Sequence, residues 1–419
     1  MKNLNFNQPN SRYSDHILAK GVTESGNPFV SGHNNNVMYI GSPGCGKSST
    51  IIPNIQNSNG SMVIADVKGQ LYKLLANELR DKGYKVHLID FVNPERSTIG
   101  WNPFDAVRTY SDGHVNENDI LSLASALIPA ELDKERIWTE GAKNILSFVT
   151  AFCFEALEPE DRNFPAIINL YHTLCRSGDT PFLEWLEEHQ DSFTYKKHAE
   201  YCANKSADKM MSSYFGFINA ALQPFETYEM SKLLCREDTL DIKSIGTEKT
   251  VVFVQQSDTD RFADKPVGLF FSQVLNQLVM SANDEDNGKL RIPTTIILDD
   301  FCNTVYENFD RISACVRSRD IQLTIALQSV SQLVSLYGQS KADTILDNFD
   351  IIVYQGCSNR DTAELISYRA CCLKEDVLNL PLNMSYVLIK GQEAILAEKL
   401  TPYATVKTPS KSDCSKQPA

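Results

Sequence analysis

The chain has 419 residues, of which 42% are hydrophobic, and its formal net charge is −13 at pH 7. This length and composition predict a globular protein of two or three domains, or one domain that carries a large insertion. The acidic charge excludes an evenly basic surface for nucleic acid, so any contact with DNA has to use a locally basic region such as a pore lining.

The eleven cysteines are an odd number and are scattered without C-x-x-C pairs or histidines at zinc-binding spacing. Cys371 beside Cys372 does not suggest a disulfide framework, so we expect reduced thiols in a cytosolic protein. The N-terminus does not resemble a signal peptide, and no apolar run approaches the roughly 18 to 20 residues that span a bilayer. The sequence as given therefore predicts a soluble chain.

The first half of an α/β sheet is predicted before residue 105. Residues 1–36 are rich in Asn and Gly and lack apolar periodicity, which predicts an extended lead-in. The short apolar strand VMYI follows, and after it SMVIAD (61–66), the helical LYKLLANELRDKG and YKVHLIDF (84–91). This order predicts strand, helix and strand joined by a parallel crossover.

A long helical block interrupts this sheet. From 105 to 245 apolar residues recur at helical spacing and strand signals vanish, which predicts an all-α insertion domain. Strand-like runs resume with TVVFVQQ, TTIILDD, QLTIALQ and DIIVYQG, and SYVLIKG with EAILAEKL predicts a closing hairpin. The predicted nucleotide-binding domain therefore comprises 37–104 and 246–400, and the Ser-, Lys-, Thr- and Pro-rich residues 401–419 predict a disordered tail.

The segment YIGSPGCGKSS carries the strongest chemical signal. Its spacing fits G-x-x-x-x-G-K-[ST], in which backbone N–H groups surround phosphate oxygens, Lys reaches the terminal phosphates and Ser ligates magnesium. We expect ATP rather than GTP, because NKSAD (204–208) places its Asp one position too far for the guanine-reading N-K-x-D. The predicted nucleotide-binding residues are Gly41, Ser42, Pro43, Gly44, Cys45, Gly46, Lys47, Ser48 and Ser49.

A second acidic group is needed to complete a magnesium site, and TIILDD supplies it at the end of an apolar strand. We expect this strand to neighbour the phosphate-loop strand, with Ser48 and Asp299 on the metal side. Asp300 stands where many strand-type ATPases carry the Glu that orients the attacking water. The alternative is a polar strand end that only faces solvent.

Three further residues are candidates for catalysis. Gln328 ends the strand QLTIALQ, where an amide can sense the γ-phosphate or position water, although a buried structural amide is an alternative. Arg317 and Arg319 precede that strand and suit a contact with the γ-phosphate of a neighbouring subunit, unless they form only a solvated basic turn. Asp66 and Lys68 end a strand that we expect beside the phosphate-loop strand, and a functional role for them stays open.

Taken together, the motifs resemble the TraG/TraD-type coupling ATPases of conjugative type IV secretion. The resemblance extends over roughly residues 30–400. It is carried by NNNVMYIGSPGCGKSS, VIADVKGQL, GYKVHLIDF with WNPFD, RIWTEGAKNIL, IILDDF and RSRDIQLTIALQSVSQL. It implies a RecA-like nucleotide domain with an inserted all-α domain, assembled as a hexameric ring at the membrane. It also implies that the ring uses ATP and Mg²⁺.

Residue roles follow from the same resemblance, position by position. It implies that Lys47 and Ser48 are the phosphate-loop pair and that Asp299 is the metal-side acid. Asp300 takes the position where the family usually has Glu, Gln328 is the sensor amide and Arg317 is the trans-acting arginine. The sequence departs from the family at three points. Asp300 is one methylene shorter than Glu, Val67 stands where the family often has Pro, and the membrane helices that normally precede the nucleotide domain are missing.

The implied partners are a single DNA strand bound to a relaxase, the proteins of a secretion channel and a membrane-anchored protein. The implied location is the cytoplasm, peripheral to the inner membrane. Two alternatives remain: a soluble ring motor of the HerA/FtsK kind that acts on duplex DNA, and a docking platform that binds ATP weakly and recruits secretion substrates through its helical domain.

Overall fold

A computed structural model describes residues 12–128, 136–205 and 208–401. Within them lie eleven strands, and each apolar run predicted as a strand is one. The strands are β1 His16–Ala19, β2 Val22–Glu24, β3 Val37–Ile40, β4 Ser61–Asp66, β5 Lys85–Asp90, β6 Thr250–Gln255, β7 Thr294–Leu298, β8 Ile321–Leu327, β9 Ile351–Tyr354, β10 Met384–Ile389 and β11 Ile395–Glu398. The tail predicted beyond residue 401 lies outside the described residues.

Nine of these strands form one sheet in the order β11-β10-β9-β3-β8-β7-β4-β6-β5. The strands from β9 to β5 are parallel, and β10 and β11 add an antiparallel hairpin at one side, as predicted. The lead-in is more structured than expected, because β1 and β2 pair as a separate antiparallel ribbon.

Two predictions about neighbouring strands are wrong. The strand that ends in Asp66 does not lie beside β3, because β8 and β7 lie between them, and β7, which precedes Asp299, is separated from β3 by β8. Strands β3 and β4 are buried along their whole length, as parallel strands covered on both faces are. Their apolar sequences therefore identify them as central strands but contain no signal for their order in the sheet.

The helices pack on both sides of this sheet and form a separate group between β5 and β6. In chain order they are α1 Pro28–Ser31, α2 Lys47–Gln56, α3 Gln70–Asp81, α4 Glu117–Leu127, α5 Arg136–Ala156, α6 Phe164–Ser177, α7 Leu183–Glu188, α8 Phe193–Asn204, α9 Asp208–Leu222, α10 Tyr228–Leu234, α11 Asp264–Asp284, α12 Phe309–Cys315, α13 Val330–Tyr337, α14 Gln339–Asp347, α15 Arg360–Ala370 and α16 Lys374–Leu378. The described residues between 105 and 245 contain α4 to α10 and no strand of the nine-stranded sheet.

Helix α5 is the centre of the helical group, where it packs against α4, α6, α8 and α9. Residues 145–154 of α5 are all buried, so its neighbours surround this part of the helix on every side. Among the described helices, none is both long enough and apolar enough to cross a bilayer.

The WNPFD segment joins the helical group to the sheet. The indole N–H of Trp101 donates to Gln273 Oε1 of α11 at 3.1 Å, and the Gln273 amide donates to the Pro103 carbonyl at 2.8 Å. Trp101 is fully buried, with its ring edge-on to Phe91 and Phe270. Because its polar atom is satisfied and its rings are packed, this segment is a structural joint.

Candidate active site

The carboxyl ends of the parallel strands form one edge of the sheet, here called the carboxyl edge. The last residues of β8 and β9, Leu327 and Tyr354, are both register partners of Ile40, the last residue of β3. The residues that follow these strands, Gly41, Gln328 and Gln355, therefore start at one level. Ligands of open α/β sheets bind at this kind of edge.

The phosphate loop, residues 41–49, is held to the neighbouring strand ends by its backbone. The N–H of Gly41 donates to the Leu327 carbonyl at 3.0 Å, and the N–H of Ser42 donates to the Gly356 carbonyl at 2.9 Å. Gly44 and Gly46 have φ values of 76° and 109°, in the left-handed region that favours glycine. Helix α2 then begins at Lys47, with its N-terminus at the loop, where anions are stabilised.

A side chain at position 41 would crowd its neighbours. A Cβ atom there would lie 2.4 Å from the Sγ of Cys45 and 3.2 Å from the Cβ of Gln355. The Lys47 side chain is buried and folds back along the loop, where its Nζ donates to the Gly41 carbonyl at 2.7 Å and the Ser42 carbonyl at 3.3 Å. Its ammonium group is thus held within the loop that would surround a phosphate.

Ser48 and Asp299 are in contact, although β8 lies between β3, which leads into the phosphate loop, and β7, which precedes Asp299. The Ser48 hydroxyl donates to Asp299 Oδ2 at 3.1 Å. Burial raises the pKa of Asp299 to about 6, the charge of Asp300 adds to this rise, and Ser48 and Lys47 oppose it. A hydroxyl and a carboxylate are hard oxygen ligands of the kind that Mg²⁺ takes.

Asp300 has an unusual backbone for a residue with a side chain. Its φ is 52° and its ψ is 49°, in the left-handed region, and its N–H donates to Asp299 Oδ1 at 3.1 Å. Asp and Asn occupy this region more readily than most residues with a Cβ. The local geometry at this position therefore suits Asp.

Gln328 is half-buried beside the start of the phosphate loop, since the carbonyl of the preceding Leu327 holds Gly41. Its Oε1 accepts a hydrogen bond from the Gln332 amide at 3.4 Å. Its position suits a sensor of bound phosphate, and its role stays a prediction.

Two site residues were not predicted from the sequence. The Gln355 amide donates to Thr50 Oγ1 at 2.8 Å, and its Oε1 lies 3.7 Å from Cys45 Sγ. Lys399, just beyond β11, donates to the carbonyls of Gln355 at 2.6 Å and Cys45 at 3.0 Å, and burial lowers its pKa. The end of the run DIIVYQG was a signal for Gln355, whereas the approach of Lys399 depends on how the hairpin folds.

Arg317 and Arg319 lie away from this site, at the opposite edge of the sheet, here called the amino edge. Arg317 is exposed and donates to the carbonyl of Gly32, which precedes β3, at 3.3 Å. Seven residues of β8 separate the two edges, which is about 23 Å at 3.3 Å per residue. Arg319 is held by Asn283 Oδ1 at 3.0 Å and the Cys315 carbonyl at 2.8 Å. Neither arginine reaches the phosphate loop of its own chain.

The open question about Asp66 and Lys68 has a structural answer. The buried Asp66 carboxylate accepts the backbone N–H groups of Gln70 at 3.0 Å and Tyr72 at 2.8 Å, so it caps the first turn of α3. Lys68 is exposed, and its Nζ lies 3.9 Å from Asp258. These contacts account for both residues without a role in catalysis.

The chain matches a family model described as type IV secretory system conjugative DNA transfer over residues 11–372. Protein VirD4 of Rhizobium rhizogenes is 21% identical over 375 residues, which cover 88% of this chain and 54% of the relative. VirD4 of Agrobacterium fabrum gives the same identity and coverage. The chain thus spans about half the length of the curated relatives that it matches.

A solved structure of similar fold is the bacterial conjugative coupling protein TrwBdeltaN70 in a trigonal form with sulphate. It has a TM-score of 0.68 and 17% identity, covering 92% of this chain and 89% of that chain. Plasmid coupling protein TrwB in complex with ADP and Mg²⁺ has a TM-score of 0.66 and 18% identity, with 88% and 85% covered. This likeness confirms the predicted fold class, an α/β fold with a RecA-like sheet.

Proposed function

The chain belongs to the type IV secretory system conjugative DNA transfer family, and from this we propose that it is an ATP-hydrolysing coupling protein. In this role it delivers a DNA strand, bound to a relaxase, to a type IV secretion channel. The resemblance to TraG/TraD-type proteins and the relatives named VirD4 and TrwB support the proposal.

The contact between Ser48 and Asp299 is the observation that carries the enzymatic part of the proposal. The two residues are 251 positions apart, and the helical group is inserted between them, yet their side-chain oxygens lie 3.1 Å apart. They lie beside an ammonium group that the phosphate loop encloses. A lysine, a hydroxyl and a carboxylate at a helix N-terminus are what a magnesium nucleotide requires.

Bound Mg-ATP supplies the γ-phosphoryl group and the free energy of its hydrolysis. Lys47 would exchange its carbonyl partners for phosphate oxygens, and Ser48 and Asp299 would hold the metal ion, which would neutralise charge on the phosphates. Asp300 and Gln328, at the ends of β7 and β8, orient the water molecule that attacks. The glycines of the loop allow its N–H groups to approach the phosphates closely.

We propose that the arginine comes from a neighbouring subunit. Arg317 is exposed at the amino edge, about 23 Å along β8 from its own phosphate loop. In a ring of RecA-like subunits this edge faces the nucleotide of the next subunit, where an arginine stabilises the charge of the transition state. The active form is thus a homo-oligomer, which we propose to be a hexamer.

The proposed role also implies partners at the membrane and in the secretion channel. We propose that the ring works at the cytoplasmic face of the membrane with a membrane-anchored partner and the proteins of the channel. The chain as a whole carries a net charge of −13, and an evenly acidic surface repels DNA. The single-stranded DNA therefore passes through a pore that is locally basic.

ATP turnover with and without DNA tests the proposal. The purified chain is assayed alone, with single-stranded DNA and with duplex DNA, and the Lys47→Ala variant serves as the inactive control. We expect turnover that rises most with single-stranded DNA and is absent in the variant. A preference for duplex DNA would support a ring motor for chromosome handling instead, and turnover that persists in a folded Lys47→Ala chain would contradict the nucleotide site.

A second candidate function is a docking platform that hydrolyses ATP weakly. The observation that favours it is Asp300, which is shorter than Glu and has a left-handed backbone. A shift of about 1 Å in the position of a base can cost on the order of a hundredfold in rate. If ATP binds but DNA never raises its slow turnover, this second function is the better account.

A further inference from the structure

A cluster of three different side chains in the helical group lies outside the nucleotide site. Asp179 follows the end of α6 and precedes a short 3₁₀ turn, Thr180–Phe182. His198 and Cys202 lie one turn apart on α8, so their side chains project from the same face of that helix. One ligand atom from each of the three lies within 4.8 Å of the others.

The separations of these atoms fit a single metal ion. Asp179 Oδ2 lies 3.0 Å from His198 Nε2, Cys202 Sγ lies 3.4 Å from the same nitrogen, and Cys202 Sγ lies 3.8 Å from Asp179 Oδ2. Tetrahedral Zn²⁺ with bonds of about 2.0 to 2.3 Å separates its ligand atoms by about 3.3 to 3.6 Å. The three ligand atoms could therefore surround zinc with shifts of a few tenths of an ångström.

The same distances argue against a nucleophile activated by a histidine. In such a triad the histidine contacts the nucleophile through one ring nitrogen and the carboxylate through the other. Here Asp179 and Cys202 both lie closest to Nε2, and Cys202 Sγ is farther from Nδ1, at 3.9 Å. Convergence on one nitrogen is what a shared metal ion requires.

The second oxygen of the Asp179 carboxylate has a partner of its own. Lys205 Nζ binds Asp179 Oδ1 at 2.6 Å, which leaves Oδ2 for a metal ion and fixes the orientation of the carboxylate. Cys202 binds a metal ion as the thiolate, so binding releases the thiol proton.

We propose that Asp179, His198 and Cys202 form a binding site for a divalent cation of the zinc class. Nitrogen, sulfur and carboxylate ligands together select zinc over magnesium and calcium, which prefer oxygen alone. Three protein ligands leave a fourth position, and the exposure of Cys202 opens it to solvent. The ion joins the turn after α6 to α8 and so stabilises the helical group, independently of ATP hydrolysis.

Cobalt provides a spectroscopic test, because a thiolate that binds Co²⁺ produces a charge-transfer absorption band. The 419-residue chain, reduced and freed of metal, is titrated with Co²⁺ and then with Zn²⁺, in the parent and in Cys202→Ala. The matched control is Cys235→Ser, another exposed cysteine of the helical group. We expect one equivalent of Co²⁺ to produce the band in the parent and the control, and Zn²⁺ to remove it.

The Cys202→Ala variant should lose the band and bind Zn²⁺ at least a hundredfold more weakly. Alkylation followed by mass spectrometry gives a second readout on the unmodified chain: Zn²⁺ should protect Cys202 and leave Cys235 reactive. The proposal is overturned if the parent shows no thiolate band. It is equally overturned if Cys202→Ala binds Zn²⁺ as the parent does, or if Zn²⁺ leaves the labelling of Cys202 unchanged.

Discussion

The two edges of the central sheet have opposite characters. At the carboxyl edge, Lys47, Ser48 and Asp299 converge from distant parts of the chain, and their polar groups are partly or fully buried. At the amino edge, Arg317 is exposed and donates to a backbone carbonyl at 3.3 Å. One chain therefore holds its phosphate loop and Arg317 about 23 Å apart along β8, and we propose that a second chain brings an arginine to the loop.

Other charged groups of the amino edge are engaged within the chain. The Asp320 side chain is inaccessible to solvent and accepts from Arg12 at 2.8 Å and from the Tyr13 hydroxyl at 2.9 Å, and the Lys289 Nζ lies 3.5 Å from it. Burial and the contact with Asp320 raise the pKa of Tyr13 to about 12. Arg317 differs from these groups because it is exposed and is not paired with an acidic side chain of the described residues.

The largest effect should come from removing the ammonium group at the carboxyl edge. Lys47→Ala should abolish ATP turnover, because it removes the ammonium group that the carbonyls of Gly41 and Ser42 hold within the phosphate loop. Lys68→Ala is the matched control, an exposed lysine after β4, and should stay within about twofold of the parent. Phosphate release measures the turnover of both variants. Equal loss of turnover in the two variants would contradict a specific role for Lys47 in the phosphate loop.

At the amino edge, Arg317→Ala should remove the rise in turnover that accompanies assembly and leave ATP binding intact. A trans-acting arginine supplies about 10³ to 10⁵ in rate, so the loss should be large in the oligomer and absent in the monomer. Arg291→Ala, which removes an exposed arginine paired with Glu285, is the control. An unchanged DNA-stimulated rate in Arg317→Ala would show that Arg317 is not the trans-acting arginine. Arg319, which hydrogen bonds to Asn283 and Cys315 hold in place, would then be the remaining candidate.

A smaller effect is expected at Asp300. Asp300→Asn should lower turnover by about a hundredfold, because it removes the carboxylate and keeps a side chain that tolerates the left-handed backbone. Asp300→Glu should also be slower than the parent, because a longer side chain on this backbone displaces the carboxylate. Faster turnover in the Glu variant would show that reach, rather than backbone geometry, limits the parent.

The smallest effect concerns the hairpin that closes on the phosphate loop. Lys399→Ala should weaken ATP binding by about tenfold with little change in the maximal rate, because two hydrogen bonds from a charged group to the carbonyls of Cys45 and Gln355 are lost. Lys20→Ala, which breaks the exposed pair with the adjacent Glu398, is the control. Nucleotide titration separates the two, and equal affinity in both variants would remove Lys399 from the site.

Strands and site residues could be predicted because their signals are local. An apolar run that ends in Asp299 or Gln328 identifies both a buried strand and a polar group at its carboxyl end. The order of the strands could not be predicted, since it depends on which buried runs pair. The expectation that Asp66 lies beside the phosphate-loop strand failed for this reason.

Contacts that form only when distant segments pack together could not be predicted from the sequence either. Lys399 reaches the phosphate loop only because β10 and β11 pair beside β9, and the left-handed backbone of Asp300 has no signature in an apolar strand end. The expectation that no cysteine has a histidine at metal-binding spacing overlooked the one-turn pair His198 and Cys202. Asp179 joins that pair only through the packing of the helical group.

Mixing of inactive subunits tests the central claim, that the carboxyl edge of one chain is completed by the amino edge of another. Lys47→Ala chains lack a working phosphate loop, and Arg317→Ala chains lack the arginine that a neighbour needs. Each variant alone should lack DNA-stimulated turnover, and the mixture should recover part of it where an intact arginine faces an intact loop. A mixture as inactive as its components, formed from variants that still assemble, would contradict the claim.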